Sequence, residues 1–429
     1  MILFPIWIMF VLFIFNIPVA FAIMASGISY FLIADTFLPV DMALQRMIAG
    51  AESFPLMAVP FFIAVGTVMN YSGITDRLLT LVNMLCGHWR GGLAQVNVLL
   101  STFMGGVSGS SNADAAMQSK ILVPEMVKRG MSAEFSAAVT VTSAVIAPII
   151  PPGIGLILYA FMAEVSVAKM FLGGYIPGVM MCIALMVVVR IISVRRNYLP
   201  TTDRRAAIGT ILRQIMVSAW ALFLPFGIIL GLRVGMFTPT EGGAIAVVYS
   251  LFVGIFIYRE LKLRHMPAVI LESVLGTAGV MLIIVAANVL GYYMSWERIP
   301  QNFSAYLADF TTSPIAFLLA TNLFLLVLGM FVEGTASLII LTPLLIPTVH
   351  NLGIDPVHFG LVIVLNLTIG GATPPFGTLI FVCSSILRLS PGKIVRESLP
   401  FLVALLAVLL LITLFPTFVM YLPNLLLGK

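Results

Sequence analysis

The sequence predicts an all-α polytopic membrane protein, and three observations carry that expectation. Of 429 residues, 61% are hydrophobic and only 9% charged, with a mean hydropathy of +1.13. Apolar stretches of membrane-spanning length recur from end to end. Two polar, glycine-rich patches and two proline pairs interrupt them at one repeating interval. The stretches are continuously apolar rather than alternating, which excludes a β-barrel.

The candidate spans are 2–15, 17–34, 54–71, 135–163 (broken), 170–190, 215–235, 240–258, 276–296, 358–387 (broken) and 399–424. A single helix over 1–34 would be about 51 Å long, too long for one ~30 Å crossing, so a break is expected at Asn16-Ile17-Pro18. The opening "MILFPIWIMFVLFIFN" has no basic region and no small-residue cleavage site, and reads as a retained membrane segment. Segments 95–127 and 317–349 read as re-entrant hairpins, which enter and leave by one face. Two amphipathic stretches, 35–52 and 259–276, fit helices lying along the membrane surface.

This layout sends 16 of the 22 Lys and Arg residues to one side, five (Arg46, Lys169, Arg233, Arg298, Lys429) to the other, and leaves Lys120 inside the first hairpin. The bias makes the richer side cytoplasmic and the N-terminus external. The net charge of +5 therefore concerns orientation and lipid, not nucleic acid. The three cysteines stand apart in apolar surroundings and suggest neither disulfide nor metal site.

A shift of 223 residues superimposes the sequence on itself. Gly106 then meets Gly329, Pro124 meets Pro347, Pro151-Pro152 meets Pro374-Pro375 and Pro177 meets Pro400. Chance would give roughly 0.25 proline coincidences in this window, so the repeat is a real feature. Five crossings separate equivalent points, and an odd number inverts the second half. Inverted repeats with paired interrupted segments are the pattern of secondary transporters.

Each half supplies a hairpin tip, "GGVSGSSNADAA" (105–116) or "GMFVEGTASLII" (329–340), and a proline-broken helix, "SAVIAPIIPPGIGL" (143–156) or "LTIGGATPPFGTL" (367–379). Irregular backbone at membrane depth is tolerated where it lines a cavity. Prolines free backbone carbonyls. With Ser, Thr and Asn oxygens these make a hard, nearly neutral cage suited to Na⁺. The first candidate Na⁺ site is Ser108, Ser110, Asn112, Ile149 and Pro151. The second is Gly334, Thr335, Ser337, Gly371, Ala372 and Pro374. Helices starting after Asn112 and Thr335 should aim N–H groups at an organic anion. Candidate substrate contacts are Ser110, Ser111, Asn112, Asp114, Gly334, Thr335 and Ser337. Lys120 and Glu333 are further intramembrane ionisable candidates, and Glu241 reads as support for its turn.

At "GGVSGSSNADAA", "APIIPPGIGLILYA", "FTPTEGGAIAVVY", "FVEGTASLIILTPLLIP" and "GGATPPFGTLIF" the sequence resembles the large membrane subunit of tripartite ATP-independent periplasmic (TRAP) transporters. The look is nearest to members handling sialic acid. The resemblance spans essentially the whole chain. It implies an elevator-type transporter of the ion transporter superfamily in the bacterial inner membrane, importing an organic acid such as sialic acid or a C4-dicarboxylate. It also implies Na⁺ coupling, a small membrane subunit and a soluble periplasmic substrate-binding protein. The chain begins at the large subunit, so a separate small subunit is expected. The implied division is scaffold over 1–90 and 215–300, transport domain over 91–190 and 301–429, and a basic cytoplasmic linker over 191–214. The rival within transport is a stand-alone Na⁺/dicarboxylate symporter. No HExxH or Walker motif is present, which argues against a zinc hydrolase and against ATP hydrolysis by this chain.

Overall fold

The computed structural model describes residues 3–15, 17–34, 38–202, 204–310 and 313–428. Among them every regular element is helical. Asn16, residues 35–37 of the first surface stretch and Lys429 lie outside the described residues.

The N-terminal part runs α1 (Phe4–Ile14), α2 (Val19–Ile33) and α3 (Asp41–Ala51). Pro18 precedes α2, where a missing N–H costs nothing. α3 is short, with Asp41 in its first turn. Then come α4 (Ala58–Tyr71) and α5 (Ile74–Cys86), bent by 71° at Gly73, whose φ of +72° only glycine adopts readily. α5 lies beyond the expected span 54–71, because Asp76, Arg77 and Asn83 break its apolar run with a polar stripe.

The first hairpin is α6 (Gly92–Ser108) and α7 (Ser111–Lys128), joined by Gly109-Ser110. α8 (Ala133–Ser143) and α9 (Ile154–Met162) are the two parts of a broken helix, with a cis Pro151-Pro152 bond between them. α10 (Val167–Arg195) and α11 (Ile208–Arg233) are long and apolar. α12 (Pro239–Phe252) opens with a capping box, Thr238 and Glu241 closing each other's orphan donors, so Glu241 does support its turn.

α13 (Met266–Trp296) corrects an expectation. The stretch 259–276 does not form a surface helix of its own, because residues from Met266 run uninterrupted to Trp296. Pro267 sits at the tolerated start of that helix and no later proline breaks it, so about 46 Å of helix forms. α14 (Ile299–Phe310) follows.

The second hairpin is α15 (Pro314–Gly329) and α16 (Gly334–Asn351). The second broken helix is α17 (Pro356–Gly370) and α18 (Thr378–Leu387), with a cis Pro374-Pro375 bond between. α19 (Pro391–Leu414) and α20 (Thr417–Leu427) end the described chain. The expected span 399–424 is therefore cut at Phe415-Pro416, since a proline there cannot continue the ladder.

Among the described residues, five helices are long and apolar enough to cross a bilayer singly, or six if α4 and α5 count as one span. The ten expected spans are fewer as continuous helices, because proline and glycine divide several into pieces of 10–17 residues.

The core forms around α8 and α17, which are buried on nearly all sides; α17 is almost wholly apolar, and the α8 hydroxyls of Ser136, Thr140 and Thr142 donate back to carbonyls one turn earlier. Polar braces fix each hairpin to its broken helix. Asn97 of α6 donates to Thr140 Oγ1 at 2.8 Å and accepts from Ser143 Oγ at 2.8 Å. Asn366 of α17 donates to Asn322 Oδ1 of α15 at 2.8 Å. A separate apolar cluster, including Ile23, Tyr30, Ala43, Val289 and Tyr293, ties α2 and α3 to α13.

Candidate functional site

Both hairpin tips and both helix breaks meet at one cavity of about 260 Å³. Glycine makes the approach close enough. A Cβ on Gly109 would lie 2.6 Å from the Pro152 carbonyl oxygen, and Gly109 sits at φ +56°. In the other half, a Cβ on Gly370 would lie 2.8 Å from the Gly329 Cα. Small residues let helix backbones touch where a side chain would wedge them apart.

The first tip contributes Ser110, Ser111 and Asn112 to the cavity wall. Ser110 caps α7, its hydroxyl accepting from the Ala113 N–H at 3.4 Å. Asn112 is exposed toward the cavity. The second tip contributes Glu333, Gly334 and Thr335. Glu333 caps α16, its carboxylate accepting from the Ala336 N–H at 2.9 Å and from Thr335 Oγ1 at 2.7 Å. The breaks add Pro148 and Gly371, and α17 and α18 add Thr368 and Thr378.

Glu333 changes the expected symmetry. Both helix N-termini were expected to face an anion, but α16 begins on a carboxylate that already neutralises its positive end. Only α7 opens on a neutral cap.

Several expected site residues face elsewhere. Asp114 is 1% exposed and turned into the first hairpin, accepting from Ser101 Oγ at 2.7 Å and from Gln118 Nε2 at 2.8 Å. It braces α6 against α7 and does not line the cavity, since burial sends a carboxylate to the nearest donors. Ser337 is buried and donates back to the Glu333 carbonyl at 3.1 Å, and Ser108 donates back to Met104 at 3.3 Å. The Ile149 carbonyl presses on α10, where a Cβ on Gly174 would meet it at 2.2 Å. Pro151, Ala372 and Pro374 also lie outside the wall, and the Gly371 carbonyl already accepts from the Leu379 N–H at 3.0 Å. Lys120 is exposed to a different cavity, beside Asp76 and Glu260.

Thr368 and Thr378 lie within the expected half-site stretch 367–379 but are not among the candidate contacts named from sequence, and on α13 Val280 joins the wall from an apolar run that only packing distinguishes.

Fold and cavity together define a helical membrane protein with a cavity between two hairpin tips. Residues 6–418 match the family described as "Tripartite ATP-independent periplasmic transporter, DctM component", and the chain belongs to that family. It is a transporter permease subunit and not an enzyme. It is 37% identical to the sialic acid TRAP transporter large permease protein SiaM of Vibrio cholerae, over 96% of each chain. It is also 37% identical to the C4-dicarboxylate TRAP transporter large permease protein DctM of Pseudomonas aeruginosa, over 88% of each. The solved YdaH transporter of Alcanivorax borkumensis has a similar fold, with a TM-score of 0.62 over 88% of this chain and 89% of that one at 15% identity.

Proposed function

We propose that this chain is the large subunit of a Na⁺-coupled importer of organic acids, working by an elevator movement in the bacterial inner membrane. The observation that carries the reading is the convergence of both tips and both breaks on one cavity whose wall carries Ser, Thr, Asn and Glu oxygens among apolar residues. Hydroxyl and amide oxygens with a single carboxylate are donors that suit a small hard cation. Glu333, Thr335, Thr368 and Thr378 would hold Na⁺. The open N-terminus of α7, with Ser111 and Asn112, would receive the substrate's carboxylate. A carboxyl group at the tip makes an empty site costly to carry through a bilayer, and a bound cation offsets that cost. Coupling follows from that difference.

Element positions support a repeat, which this reading takes as inverted. α16 starts and ends 223 residues after α7, and α17 starts 223 after α8. The polar braces support hairpins that move with their broken helices, and the α2–α3–α13 cluster supports a separate scaffold. The partners in this reading are a separate small membrane subunit and a periplasmic binding protein. The N-terminus faces the periplasm. Leu199 and Met236 are 73% and 76% exposed, so cysteines there report sidedness. An impermeant maleimide should label the second in intact spheroplasts and spare the first.

The deciding experiment is uptake into proteoliposomes containing this chain and its small subunit. N-acetylneuraminate and succinate, the classes named for its relatives, are the probes. Uptake should need an inward Na⁺ gradient and the soluble binding protein. Equal uptake in K⁺ without Na⁺ or a proton gradient would defeat the coupling, and full-rate uptake without the soluble protein would promote the stand-alone symporter.

A further inference from the structure

A second, larger cavity of about 930 Å³ lies beside the tip cavity. Three elements line both. On α16, Leu338 faces the tip cavity and Ile339 and Ile340 face the larger one. On α13, Val280 and Ala287 divide in the same way, and on α9, Gly155 and Ala160. At 1.5 Å per residue the α13 pair is about 10 Å apart along the helix, so the larger cavity is a vestibule next to the site. Its size suits a small organic ligand, whereas most of its wall is apolar.

Among the described residues, the vestibule wall carries one cation, Arg46 on α3, and one carboxylate, Glu164, from the α9–α10 turn. The Arg46 guanidinium lies 4.1 Å from the centroid of the Tyr292 ring on α13. Arg46 joins none of the ion pairs among the described residues. A guanidinium laid on an aromatic face keeps its in-plane N–H groups free, and these match a carboxylate in bidentate fashion. Tyr292 thus orients the cation without neutralising it.

We infer that Arg46 on Tyr292 is a carboxylate-receiving site in the vestibule, where an organic acid is held before it reaches the tips. The inference deepens the proposed function by giving the substrate a first station on α3 and α13, separate from the Na⁺-binding oxygens. An exposed arginine at that point raises the local concentration of anions and weakly holds the right class. Glu164, a carboxylate in the same wall, opposes overly tight retention of the same anion.

The test is phenylglyoxal modification of the purified full chain with its small subunit, without Na⁺ or binding protein. The rate at Arg46 is read by peptide mass spectrometry, with exposed Arg195 as internal reference. Succinate and N-acetylneuraminate should slow modification at Arg46 about fivefold at a few times their dissociation constants, while Arg195 is unaffected. N-acetylmannosamine, which lacks a carboxylate, should give no protection. Tyr292→Phe should keep the protection and Tyr292→Ala should lose it, in protein that remains monodisperse. Absence of protection by both acids, or equal protection by the neutral sugar, overturns the inference. Protection alongside uptake that ignores Na⁺ would leave the receiving site standing and remove the coupling.

Discussion

The two hairpin tips occupy matching positions, yet they are chemically unlike. Tip one ends α6 on Gly109, caps α7 with a neutral serine and leaves Asn112 exposed to the cavity. Tip two caps α16 with Glu333 and ties Thr335 to that carboxylate. A shared backbone plan thus carries opposite electrostatic preferences. Under the proposed function a cation belongs at the second tip and an anion at the first. The difference teaches that similar backbone positions do not set the chemistry, because the residue at the cap decides which charge a helix end attracts.

The strongest way to break the comparison is at the glycines. Gly109→Ala puts a Cβ 2.6 Å from a backbone oxygen, at a left-handed φ that costs a non-glycine residue roughly 1–2 kcal/mol. Gly370→Ala drives a Cβ to 2.8 Å from another backbone carbon. Both should abolish uptake and lower the yield of monodisperse protein. Gly334→Ala meets its nearest neighbour at 3.6 Å, an ordinary contact, and should retain most uptake. If all three behave alike, close approach is not what these glycines provide.

Charge is the next lever. Glu333→Gln keeps an acceptor for the α16 cap but removes the carboxylate. The Na⁺ concentration for half-maximal uptake should rise about tenfold, equivalent to roughly 1.4 kcal/mol of lost binding. The substrate concentration for half-maximal uptake at saturating Na⁺ should change little. A shift confined to substrate would reverse the assignment of the two tips.

A smaller effect is expected from the neutral ligands. Thr335→Val should weaken Na⁺ dependence by a few-fold, about the worth of one hydrogen-bonding oxygen at ~1 kcal/mol. Asn112→Ala should instead act mainly on substrate affinity, and without loss of thermal stability, because the Asn112 side chain makes no hydrogen bond to the described residues. Identical profiles for the two variants would erase the distinction between tips.

The smallest transport effect belongs to Asp114→Asn. The amide retains an acceptor for Ser101, so uptake should stay close to wild type. Asp114→Ala leaves Ser101 and Gln118 short of a buried partner and should cost about 1–3 kcal/mol of stability, seen as a lower unfolding temperature in detergent. Loss of uptake in Asp114→Asn with unfolding temperature unchanged would return Asp114 to the substrate site.

Composition, proline placement and glycine placement made much of the architecture legible without coordinates. The two hairpins and two broken helices fall where the polar patches and proline pairs stand, because a proline removes a donor wherever it occurs and a glycine turn depends on local φ. The class of ligand atoms was legible too, since Ser, Thr and Asn offer oxygen in any setting.

What the tertiary structure alone decided was direction and company. Asp114 and Glu333 are both acids near a tip. One turns into its own hairpin, toward Ser101 and Gln118, and the other caps a helix at the cavity edge. Thr378 joins the wall because α18 turns it toward Gly371, where a Cβ would meet its hydroxyl at 3.3 Å. Arg46 and Tyr292 are 246 residues apart, and only the packing of α3 on α13 stacks them. Local rules set where a chain bends and which atoms it carries. Which of those atoms face one another follows from packing between residues far apart in sequence, for which local periodicity holds no term.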